Sequence, residues 1–303
     1  MMADANASSS DSLPRTSNTV DIRNAVACIT GQIREGTRFT NVAQANEYLM
    51  EVTKQKNVAS TLLSIIRDHF SIGPVTATTF QAPDIPHLLQ FCASGICNCI
   101  RLKKPQDVDC KFFFQMILET CQIARAQNVD VWLLKSLCQA AASCACHLDD
   151  IPLDTFVPGI GTDSVAIFVV AALPEELERV KINGPSKQLF LKKFKSQVLI
   201  ILNALAATNE SSNKTVWVCA NEWIKLASGR VCLDGIAKSQ MLPLAFQALS
   251  TADTSVRTEV LHFLEELIGV AAVQEDVSEV MGLIGVEQKC PKANSVVFSE
   301  MRN

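Results

Sequence analysis

The sequence predicts an all-α protein, a HEAT-type α-solenoid of about six antiparallel helix pairs. Three observations predict it. Apolar residues recur at helical spacing along most of the chain, as at Leu189, Phe190, Phe194, Val198, Ile201, Leu202 and Leu205. No stretch alternates with period two for long enough to make a half-buried strand. The chain has 303 residues, above the size at which a single core stops growing. Its helical segments pair at a period of about 40–47 residues, so stacked repeats fit better than one core.

Composition narrows the function classes. Hydrophobic residues make up 48% of the chain and charged residues 19%, enough apolar material to build a core. Aromatics are only 6%, so small and medium aliphatics fill that core, which suits closely packed helices. Twelve glycines in so long a chain argue against a Gly-rich nucleotide fold. A net charge of -4 argues against nucleic acid or an anionic membrane as partner. The twelve cysteines mostly sit inside apolar helical stretches, and no secretory signal is recognisable before them. They are expected to be reduced, buried small hydrophobes in the cytosol or nucleus. Cys92, Cys97 and Cys99, and Cys144, Cys146 and His147, lack the loop-borne paired spacing of a structural zinc site. No metal or other cofactor is expected.

In chain order, residues 1–18 are polar and are expected to be a disordered tail. The solenoid is expected over 19–270. Thr19 to Ile33 places Val20, Ile22, Val26, Ile29 and Ile33 at helical spacing, with Gly36 beyond. Asn41 to Lys54 sets Val42, Ala45, Tyr48, Leu49 and Val52 on one face, and Gln44, Glu47, Glu51 and Lys54 on the other. Val58 to Phe70 follows, then Ile85 to Leu102, Val108 to Ala126 and Val129 to His147. Leu153 to Ile160 reads as a short, poor helix or loop. Helices follow over Val165 to Val180, from Ser186 after the Gly184-Pro185 break, and over TVWVCANEWIKL. A helix starting near Ser239, with Pro243 in its first turn, precedes Ser255 to Ile268, which Gly269 is expected to stop. Residues 271–303 are expected to hold a partial further repeat and a polar tail.

Two helices carry narrow polar stripes. On Ile85 to Leu102 the stripe is His87, Gln90, Ser94, Asn98 and Arg101; on Val129 to His147 it is Ser136, Gln139, Ser143 and His147, with Lys135 beside it. In a superhelix such a stripe on the inner layer is a binding surface, and elsewhere it is ordinary solvated surface. Arg101 and Lys135 both read as exposed.

Catalytic patterns are absent from this reading. Gly159-Ile160-Gly161 has no strand before it and no G-K-[ST] after it. Asp149, Asp150, Glu175 and Glu176 read as helix-end carboxylates that complement the dipole. His69, His87, His147 and His262 are scattered. Lys187, Lys192, Lys193 and Lys195 read as a solvated basic face. Asn209 and Asn213 fit the glycosylation pattern but, without a secretory route, read as a loop.

The segment LPEELERVKINGPSKQLFLKKFKSQVLIILNAL, with WVCANEWIKLASGRVCLD and MLPLAFQALS, resembles nuclear transport receptors of the importin-β superfamily, in the transportin-3 and importin-13 branch. Asn41 to Ile66 is similar to that superfamily's N-terminal segment, placed here at about 19–70. There the LPEE motif closes one helix. The resemblance implies a carrier of protein cargo, Ser/Arg-rich splicing proteins among it, between cytoplasm and nucleus. It implies binding to Ran-GTP through the first repeats and to Phe-Gly nucleoporins on the outside. Gln90, Asn98, Arg101, Lys135 and Gln139 are then the expected Ran contacts. Members of the superfamily are much longer, so the chain is expected to match their N-terminal portion. A HEAT scaffold unrelated to transport is the alternative.

Overall fold

The computed structural model describes residues 15–32, 36–55, 58–71, 85–102, 110–148, 153–179, 184–227, 235–236, 238–250 and 253–272. Among these the chain is all-helical, with no strand. The helices are α1 (Arg15–Ile29), α2 (Val42–Lys54), α3 (Val58–Ser71), α4 (Ile85–Leu102), α5 (Cys110–Ala126), α6 (Val131–Ala145), α7 (Leu153–Phe156), α8 (Ser164–Arg179), α9 (Gly184–Ala207), α10 (Lys214–Ile224), α11 (Met241–Leu249) and α12 (Thr254–Ala272). A 3-10 turn, Val157–Gly159, follows α7. The apolar spacing of the sequence places most of these ends within two residues. Residues 1–14 of the expected tail, the stretch after Ala272 and the side chains of Lys187, Lys192, Lys193 and Lys195 lie outside the described residues.

Local chemistry sets the ends. The Asn41 side chain accepts from the Gln44 amide at 2.9 Å and caps α2. Asn213 does the same for α10 through the Thr215 amide, also at 2.9 Å. Asp163 accepts from the Val165 amide and starts α8. Gly31 follows α1 with φ +81° while the Gln32 amide bonds back to the Ala27 carbonyl, a Schellman stop that a residue free of Cβ makes easily. Helix α8 runs through LPEE to Arg179, with Pro174 inside it, in agreement with the expected Val165 to Val180. Two boundaries differ from expectation. Helix α1 begins at Arg15, inside the expected tail. Helix α12 passes through Gly269 to Ala272. An exposed mid-helix glycine costs about 1 kcal/mol, which the buried Val260, Phe263, Leu264 and Leu267 of the same helix offset.

The helices fall into two compact units. In the first, α1 packs on α2 and α3, α3 on α4, and α6 on both α4 and α5. The last turn of α8, from Glu176, belongs to this unit. Its seams are made of small residues: Cys92, Ala93, Ile96 and Ile100 of α4, and Leu137, Cys138, Ala141 and Cys144 of α6, are all buried. Gly95 lies so close to α3 that a Cβ there would stand 2.6 Å from Leu62 Cδ1. The second unit holds α7, the rest of α8, and α9 to α12. Here α10 packs on α9 and α12, and α11 on α9 and α12. Trp217 and Trp223 of α10 are fully buried. Trp217 meets Phe263 edge-on at 5.7 Å, and Trp223 stacks on Phe194 at 5.5 Å.

Pro174 has no amide hydrogen, so the Val170 carbonyl one turn earlier loses its helical donor. The indole N–H of Trp223 donates to that carbonyl at 2.9 Å. An α10 side chain thus completes the hydrogen bonding of α8.

The ten described cysteines are all buried, as their apolar surroundings predict; Cys232 and Cys290 lie outside the described residues. Burial pushes the Cys97 thiol up to about 11, and Cys92, Cys144, Cys146 and Cys219 also rise above the ordinary thiol value. Because all ten are buried away from solvent, they should react far more slowly with an aromatic disulfide reagent in native buffer than in denaturant. A rapid native burst consuming several thiols would contradict this.

Candidate partner-binding face and the charge buried behind it

The stripe on α4 forms as the periodicity predicts. His87, Gln90, Ser94 and Asn98 are exposed, while Leu89, Cys92, Ala93, Ile96 and Ile100 between them are buried. Three- and four-residue steps put the polar side chains on one face and the apolar ones in the seams with α3 and α6. Asn98 and Gln90 therefore present amide donors and acceptors from one rigid helix.

Arg101 departs from this face. Its side chain is only 18% exposed, and it grips Glu176, whose side chain is 0% exposed. Arg101 Nε donates to Glu176 Oε2 at 2.8 Å, and a terminal guanidinium nitrogen donates to Oε1, a two-pronged pair. Ser143 of α6 donates its hydroxyl to Oε2, and Cys97 lies 3.5 Å from the Ser143 oxygen. Arg179, one turn on in α8, stands 3.9 Å from Oε1. The expectation of an exposed Arg101 is thus corrected: Glu176 of α8 provides it with a buried partner. The reading of Glu176 as a dipole-complementing, helix-end carboxylate is corrected with it.

The stripe on α6 divides. Lys135 is exposed. Ser136 and Gln139 are half-buried, and the Ser136 hydroxyl donates back to the Trp132 carbonyl. Ser143 is fully buried against Glu176. His147 is half-buried, with Nε2 3.2 Å from the Ile100 carbonyl. The lower part of this stripe therefore ties α6 to α4 and α8 and is not available to a partner. Of the five expected contacts, Gln90, Asn98 and Lys135 are exposed, Gln139 is half-buried, and Arg101 is committed to Glu176.

Other sequence signals resolve into structure. Gly159 and Gly161 both precede α8; a Cβ on Gly159 would sit 3.0 Å from Ala166 Cβ. The Gly-x-Gly pair thus serves close packing. Asn209, with φ +54°, and the capping Asn213 lie in the α9–α10 connection. Among the described residues no group of His, Cys, Asp and Glu is arranged to hold a metal ion, and no helix is long and apolar enough to cross a membrane. Glu176 was the residue sequence reasoning missed, although its spacing from Val169 and Leu173 places it on the apolar side of α8. No family model matches the sequence, and comparison with curated proteins finds no significant match.

Proposed function

We propose that the chain is a HEAT-type solenoid segment of a nuclear transport receptor, one that binds a partner protein and does no chemistry of its own. The observation that carries the binding reading is the row of exposed polar side chains on α4, His87, Gln90, Ser94 and Asn98, mounted on a helix whose other faces are buried. The residue likeness of LPEELERV, WVCANEWIKL and MLPLAFQALS to the transportin-3 branch supports the choice of partner. On this reading Ran-GTP contacts Gln90, Asn98 and Lys135, with Gln139 at the margin, and Arg101 holds the helix end in place. Protein cargo, Ser/Arg-rich proteins among it, and Phe-Gly nucleoporins are the further partners, and the chain works in both cytoplasm and nucleus.

Binding of the purified chain to Ran loaded with GTP or GDP tests this reading. Preference for the GTP form is expected, and Gln90→Ala, Asn98→Ala and Lys135→Glu together should weaken it by about tenfold or more, since a few central residues carry most of an interface's energy. Unchanged helicity in the triple variant separates lost contact from lost fold. Equal affinity for the two nucleotide states would leave the alternative, a HEAT scaffold unrelated to transport.

A further inference from the structure

We draw no further inference here: the strongest candidate, the Cys121 and Cys138 thiol pair in the seam between α5 and α6, has its sulfurs 3.9 Å apart but both side chains fully buried, so nothing in the structure gives an oxidant or a metal ion access to it.

Discussion

Replacing Glu176 with alanine is expected to destabilise the chain by about 3–5 kcal/mol, the cost of removing one partner of a buried ion pair. The carboxylate is 0% exposed and accepts from Arg101 and Ser143. Without it, a guanidinium only 18% exposed and a fully buried hydroxyl lose their acceptor together. Arg101→Ala should cost a similar amount, because it strands the carboxylate. Arg101→Met combined with Glu176→Leu should cost much less than the two single changes added, since the uncompensated charge vanishes from both sides. Lys135→Glu, at an exposed position, should shift stability by about 0.5 kcal/mol or less. Urea unfolding followed by far-UV circular dichroism measures all four. A loss under about 1 kcal/mol for Glu176→Ala would show that water reaches the site and that the pair is not buried in solution.

The second large effect is expected at Trp223. Trp223→Ala removes a fully buried indole stacked on Phe194 and should cost about 3–5 kcal/mol. Trp223→Phe keeps most of the ring but leaves the Val170 carbonyl without its donor, at a cost of about 1–3 kcal/mol. Pro174→Ala restores a backbone amide one turn from that carbonyl. In the Pro174→Ala background, Trp223→Phe should therefore cost clearly less than in the unmodified chain. Costs that add within about 0.5 kcal/mol across the cycle would separate the indole bond from the proline.

The helices were readable because their information is local. Apolar spacing of three and four residues marks α4 from Ile85 to Leu102 without error, and Asn41 and Asn213 cap where a short side-chain oxygen is expected. The same spacing told the exposed Gln90 and Asn98 from the buried Cys92 and Ile96. Spacing fails where a polar side chain finds its partner far along the chain. Arg101 and Glu176 are 75 residues apart, and Ser143 and Glu176 are 33 apart. Nothing in the α4 period distinguishes Arg101 from its exposed neighbours. The hint lay in α8, where a carboxylate falls in register with Val169 and Leu173; a charge at a core position calls for a buried counter-charge. Gly269 misled for a different reason. A glycine stops a helix when the chain beyond it turns away, and here α12 continues past it.

The proline in α8 also bears on how this protein folds. A helix is ordinarily a local object, complete once its own residues have coiled, and it can form early for that reason. In α8 one central carbonyl is answered by an indole 53 residues further on. That turn reaches its full hydrogen bonding only after α9 has been passed and α10 has docked. Long-range order is thereby written into the middle of a local element, and the final setting of α8 becomes a tertiary event governed by the arrival of Trp223.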